Sequence, residues 1–393
     1  MIEQKAKNLI KLISVRKKDK ALSKSAYLEG RLISKIYNLD NIGFDDSVLV
    51  IDAVEILPYL YRKGITNVTY IQYGTIEDEK IPTTDMLGYT YINIPDRESL
   101  TKSLGDQKFD CILANPPYDR KAHLHQKFFN KAFKHLKDGC TMTFIQPSRP
   151  YLTAFDDSNK FVDDTNMRNI VINNYSKVKF ITNSAIDHSD MKVLFHPLAA
   201  TVITKGKSGF KGVDEFTDME GNVYTNVDIN DLNMNSTSPE LYRSMIDKVK
   251  AMIDRYGCLG SIIYFHRKDV LEDGKKVLHL PTTRGTEGKN DLYTWVDVNG
   301  TNGLPKLKYP NKPTYGAMID TDVDPKVAYT FFRTYFARFC MSIGKQCRAV
   351  GCGVATTPKL ELNKVWTDEE LFELAGFTNE EIAEVYRFIP SFY

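Results

Sequence analysis

The chain has 393 residues, of which 42% are hydrophobic, 26% charged and 11% aromatic, and its net charge at pH 7 is +2. That length suits a large core plus a second, smaller unit, and the composition is that of an ordinary soluble globular protein with no apolar run of about 18 residues able to span a bilayer. Near-neutrality excludes binding to a polyanion through total charge alone, so any attraction to phosphate has to come from where the basic residues stand.

The opening stretch predicts a basic helical segment over residues 1–45, carrying Lys5, Lys7, Lys11, Arg16, Lys17, Lys18, Lys20 and Lys24 without the uninterrupted apolar core of a secretion signal. The six cysteines (Cys111, Cys140, Cys258, Cys340, Cys347, Cys352) are scattered and form no CxxC pair, which suits reduced thiols and a cytoplasmic location. His123 and His125 alternate without a third ligand nearby, so no metal site is expected.

From 46 to 210, short apolar runs alternate with amphipathic stretches, the pattern of a parallel α/β sheet. Strands are predicted at 48–52, 68–73, 89–94, 109–114, 142–147, 178–182 and 198–204, and a short helix at 56–65. A helix with Phe128, Phe129, Ala132, Phe133 and Leu136 on one face is expected to stop at Gly139, and the glycine-rich stretch KGKSGFKG to mark a domain boundary near 210. Residues 211–350 form a more irregular α+β region. In it Ser238 and Pro239 open a helix bearing Leu241, Met245, Val249 and Ile253, 257–320 is a loop-rich β unit, and a helix runs from Val327 to Cys340. The tail, 351–393, predicts two short helices with capping boxes, Thr367 with Glu370 and Thr378 with Glu381, and Trp366, Leu371, Leu374 and Phe377 packed on the body.

The chemistry concentrates in Asn115-Pro116-Pro117-Tyr118, placed where the fourth strand ends. A polar residue, two prolines and an aromatic arise by chance in about one chain of this length in a hundred. The end of a strand in an α/β sheet is also where such sheets bind ligands. An exocyclic adenine amine is a poor nucleophile because its lone pair is delocalised into the ring. The Asn115 side-chain oxygen and the Pro116 carbonyl can accept both amine hydrogens and favour a pyramidal nitrogen, with no general base required. The prolines hold these acceptors in place, and Tyr118 offers a face on which an extruded base stacks. The plainer alternative is a rigid proline turn capped by a half-buried tyrosine.

With this motif the chain resembles the gamma-group adenine-N6 DNA methyltransferases, in particular the methylase portions of type II restriction-modification proteins. The resemblance covers most of the chain and implies a Rossmann-like S-adenosylmethionine methyltransferase sheet with helices on both faces, followed by a smaller loop-rich α+β target-recognition domain. It implies that Asn115, Pro116, Pro117 and Tyr118 form the catalytic loop, that S-adenosylmethionine is the donor, and that the partner is double-stranded DNA, with a restriction-modification partner as a further expectation. KVLFHPLAATVITKG looks like the family's segment with a base-sandwiching phenylalanine, which nominates Phe195, an ordinary core residue otherwise. YTFFRTYFARFCMSIGKQ and WTDEELFELAGFTNEEI are similar to the end of those methylases. Arg267, Lys268, Arg284, Lys308 and Arg338, interleaved with aromatics, suit phosphates and bases, or are scattered surface charge.

The chain departs from that family at the donor site. The turn from the first strand is normally glycine-rich, because side chains there collide with the donor. Here it reads Asp52-Ala53-Val54-Glu55-Ile56-Leu57, with no glycine before Gly64, and Gln72 stands where an acid would hold the ribose. Asp52 and Asp96, with Asn115, are the candidate donor contacts, the two acids being equally suited to strand-end turns. Two readings follow: an active adenine-N6 DNA methyltransferase that flips its base, or a methyltransferase-fold DNA-binding protein without turnover, a decoy or accessory subunit. A third, methylation of RNA or of a protein glutamine amide, also suits the planar nitrogen that the motif receives.

Overall fold

The computed structural model describes residues 36–37, 39–73, 87–95, 98–116, 124–151, 165–181, 198–207, 209–233, 235–259, 261–264, 275–280, 314–320, 322–344 and 356–389. They fall into two compact units, one ending at Ser236 and the other, for these residues, beginning at Thr237.

The first unit is built on nine strands: β1 (Val48–Ile51), β2 (Val68–Tyr73), β3 (Thr90–Ile94), β4 (Phe109–Ala114), β5 (Leu136–Pro147), β6 (Tyr175–Ile181), β7 (Leu198–Thr204), β8 (Val213–Thr217) and β9 (Val223–Val227). They hydrogen-bond in the order β3-β2-β1-β4-β5-β7-β6-β8-β9. Strands β1 to β5 are parallel, and β7 runs antiparallel to both β5 and β6. This is the expected Rossmann-like methyltransferase sheet. The chain leaves β1 toward β3 on one side and returns to its other side as β4, so the topological switch lies between β1 and β4, where open α/β sheets bind ligands beyond their carboxyl ends.

All four residues of β1 are buried, as the centre of such a sheet demands. Val48, Val50, Cys111 and Leu113 share one apolar cluster with Leu57 and Leu60 of α1 (Leu57–Arg62), which therefore covers that face. The alternate face carries Ala114 paired with Phe144, and Phe129 of α3 packs edge-on to Phe144 with ring centroids 5.0 Å apart. The helix α2 (Glu98–Leu104) precedes β4, α3 spans Leu124–Lys134 and α4 spans Thr165–Asn173. Helices thus lie on both faces. At the amino-terminal edge Asp110 accepts from the Ser47 amide (3.0 Å) and hydroxyl (2.6 Å) and from Lys137 (2.8 Å). Burial, the largest single effect, raises its carboxyl, but these bonds together outweigh it, hold the carboxyl low, at about 2, and pin β1, β4 and β5 together away from the site.

Two expectations are corrected in this unit. The helix after the motif stops at Lys134, not at Gly139: Leu136 pairs with Phe109 as the first residue of β5, and Gly139 lies inside that strand with a φ of +78°. The boundary placed near 210 is crossed by the sheet, since β8 pairs with β6 and β9 with β8.

The second unit contains α5 (Pro239–Tyr256), a three-stranded antiparallel sheet of β10 (Ser261–Tyr264), β11 (Lys275–Leu280) and β12 (Thr314–Asp320) in the order β10-β12-β11, and then α6 (Pro325–Arg333), α7 (Tyr335–Gly344), α8 (Asp368–Ala375) and α9 (Asn379–Phe388). The single helix expected from Val327 to Cys340 is two, because Thr334 adopts an extended ψ of 150° and its hydroxyl caps the second by accepting from the Ala337 amide. Both capping boxes of the tail are formed. Tyr242, Met245, Val249, Phe331, Phe336, Phe339, Leu371 and Phe372 fill the core of this unit, with Trp366 and Phe377 partly buried against it. Leu374 is exposed, on the outer side of α8. Arg338 is also not a surface cation: it is 3% exposed, its guanidinium 5.7 Å from the Tyr335 ring centroid.

Candidate functional site at the carboxyl ends of β1 and β4

The four-residue motif begins where β4 ends. The Asn115 amide donates to the Ile51 carbonyl (3.0 Å), which extends the β1–β4 ladder by one rung and sets the residue at the switch point. Asn115 is fully buried and Pro116 is buried. Its Nδ2 donates to Glu55 Oε1 at 3.1 Å, and Glu55 is itself only 5% exposed. The sequence did not single out Glu55. Its one signal was an acid inside the otherwise apolar run Ala53-Val54-Glu55-Ile56-Leu57, where a charge has to be matched to be buried.

Asp52 follows β1 directly. Its φ of +51° lies in the left-handed region, which aspartate tolerates better than most side chains. Its amide donates to the Ile71 carbonyl and its Oδ1 accepts from the Tyr73 amide, both at 2.9 Å, so it ties β1 to the end of β2. Its Oδ2 is buried and has no hydrogen-bond partner among the described residues. Burial pushes the carboxyl up to about 8, against the lowering effect of the Tyr73 amide, and the Glu55 charge adds to the rise.

The turn that the family fills with glycine is here a 3₁₀ turn, Val54–Ile56, leading straight into α1, and Val54, Glu55 and Ile56 are all buried. Val54 and Ile56 pack into the apolar cluster with Leu57 and Leu60, and no glycine stands in the turn. At the end of β2, Gln72 is 2% exposed and its Oε1 accepts from the Tyr91 hydroxyl at 3.2 Å. On the same edge of the sheet the sequence also passed over Gln146, near the end of β5. It is buried, donates to the Tyr151 hydroxyl (3.0 Å) and to Thr201 Oγ1 (3.4 Å), and its Oε1 has no partner among the described residues.

Of the candidate residues, the structure brings together Asp52, Asn115 and Pro116. Pro117, Tyr118, Asp96, Phe195, Arg267, Lys268, Arg284 and Lys308 lie outside the described residues. Among the described residues there is no cluster of metal-ligating side chains, and no helix is long and apolar enough to cross a membrane.

No family model and no curated protein matches the chain. Among solved structures it is similar to a protein from Listeria monocytogenes provisionally described as a class I S-adenosylmethionine-dependent methyltransferase, at 11% identity over 44% of this chain and 57% of that one, with a TM-score of 0.30. It is similar also to TrmN from Thermus thermophilus, at 12% identity over 44% of this chain and 47% of that one, with a TM-score of 0.28. The type IIG restriction endonuclease BpuSI matches at 13% identity over 65% of this chain and 36% of that one, with a TM-score of 0.30. The chain thus spans under two thirds of the length of each, and it is the strand order that defines the fold.

Proposed function

We propose that the chain is an S-adenosylmethionine-dependent methyltransferase acting on adenine N6 in double-stranded DNA. The observation that carries this reading is Asn115, held at the β1–β4 switch point with its amide nitrogen turned to Glu55 and followed by the Pro116 carbonyl. The Asn115 Oδ1 and the Pro116 carbonyl accept the two hydrogens of the target amine. That draws the nitrogen out of conjugation with the ring. Tyr118 and Phe195 stack on the extruded base, and Arg267, Lys268, Arg284 and Lys308 hold the phosphates.

The donor fits the site at its acidic end. A buried carboxyl oxygen without a partner among the described residues, Asp52 Oδ2, suits a polar group of the donor that completes its hydrogen bonding. Asp52 and Asp96 are the residues that would hold it, beside Asn115. When bound, the donor supplies a methyl group on a positively charged sulfur. The residues of the chain do the rest: they orient the amine, stack the base and keep water from the reacting nitrogen.

One observation favours a second reading, a methyltransferase-fold DNA-binding protein without turnover. It is that buried Val54, Glu55 and Ile56 stand where a glycine-rich turn is expected. Two measurements separate the readings: titration of the donor into the protein, and transfer of a labelled methyl group to double-stranded DNA beside an Asn115→Ala control. Donor binding and transfer that the variant abolishes support the enzyme. DNA binding without donor binding at about millimolar concentration, a level corresponding to roughly −4 kcal/mol, supports the binder.

A further inference from the structure

The bond from Asn115 to Glu55 joins residues 60 apart in sequence, brought together because β1 and β4 are neighbours and the 3₁₀ turn folds back over their ends. Glu55 stands where a glycine would leave room for a donor, so its presence there costs space. What it gives in return is orientation. The two ends of an asparagine amide are nearly equal in size, and rotation by half a turn about the last side-chain bond exchanges acceptor for donor. An ionised carboxylate accepts only, so it selects the NH₂ end, and the planar amide then has its carbonyl oxygen turned away from Glu55. With the opposite orientation, an NH₂ would meet the NH₂ of the target amine, donor against donor.

We propose that Glu55 is a positioning residue: by accepting from Asn115 Nδ2 it fixes which end of that amide is offered to the target amine. This rests on the reading of Asn115 as the acceptor of a planar amine. The burial of both side chains makes the selection strong, because water does not compete for the bond and a reversed amide would face the carboxylate with its own oxygen.

The test combines a structural readout with an activity readout. In protein labelled with ¹⁵N-asparagine, the side-chain NH₂ signal of Asn115 is identified by its loss in Asn115→Ala, and its hydrogens are expected to exchange slowly with solvent. Glu55→Ala should speed that exchange by about tenfold or more, whereas Glu55→Gln, which keeps the shape and an acceptor oxygen, should have a smaller effect. In methyl transfer, Glu55→Ala and Asn115→Asp should each lower kcat by about tenfold or more with the KM for DNA little changed. The double variant Glu55→Gln/Asn115→Asp exchanges donor and acceptor across the same pair and should recover most of the loss of Asn115→Asp, a reciprocal rescue that a merely structural role would not give. Unchanged exchange in both Glu55 variants overturns the inference, and so does a double variant no more active than Asn115→Asp. If the wild-type protein transfers no methyl group, the proposed function fails, and the exchange comparison alone still decides whether Glu55 orients Asn115.

Discussion

Replacing Asp52 by asparagine should change stability with opposite signs at low and neutral pH. A carboxyl whose folded pKa is raised keeps its proton in the native state after the unfolded chain has released it. Stability is therefore greatest below the unfolded value of 3.8 and falls as the pH rises toward about 8. Each pH unit in that window costs about 1.4 kcal/mol, so at pH 7 the protonated Asp52 costs about 4 kcal/mol relative to an ordinary aspartate, and near pH 4 less than about 1 kcal/mol. Asparagine preserves the acceptor for the Tyr73 amide and has no proton to take up, but it places an NH₂ where Oδ2 lacks a partner among the described residues, at a cost of about 1–3 kcal/mol. Asp52→Asn should accordingly be more stable than the wild type by about 1–3 kcal/mol at pH 7, and less stable by about 1–2 kcal/mol near pH 4. Urea unfolding of both proteins across this range measures the difference. A variant that differs from the wild type by the same amount at every pH would show that Asp52 is ionised in the native state, and the reasoning about its burial would be refuted.

Restoring a glycine at Val54 should cost about 2–4 kcal/mol, since Val54 belongs to the buried cluster on α1, but should tighten donor binding if side chains in the turn restrict it; calorimetric titration decides. In the second unit, Glu381 is 1% exposed; burial raises its carboxyl, but bonds from Lys248 (2.5 Å), Ser244 (2.6 Å) and the Thr378 amide (2.7 Å) outweigh this and leave it low. Glu381→Ala should lose about 2–4 kcal/mol in urea unfolding at neutral pH, and less in acid, because a carboxyl with a lowered pKa contributes stability that disappears as the pH falls through its folded value. Thr367→Ala, which removes an exposed capping box, should cost only about 1 kcal/mol by the same assay.

Much of the sheet was legible because its central strands are largely buried on both faces and so appear as mainly apolar runs: 68–73, 109–114 and 198–204 match β2, β4 and β7 residue for residue. The capping boxes were legible because their chemistry is local, a hydroxyl and a carboxylate three residues apart. The start of β5 was not, because Leu136 continues the helical spacing of Phe129, Ala132 and Phe133, and only its pairing with Phe109, a distant residue, makes it a strand. The division at Thr334 was hidden for a related reason, since apolar periodicity persists across it while a single extended residue breaks the helix. At the site, Asn115 and Pro116 were legible from a motif placed at a strand end. Glu55 was not, because its partner lies 60 residues away and the family pattern directed attention to a missing glycine instead of to the acid in its place.

The central claim is that the buried acceptors at the end of β4 receive an adenine amine. Nucleoside mass spectrometry of double-stranded DNA incubated with the protein and S-adenosylmethionine tests it most directly. N6-methyladenine is expected in the product, and none when Asn115→Ala replaces the wild type. Methylated adenine that persists in the variant, or DNA left unmodified by a wild-type protein that binds both donor and DNA, would contradict it.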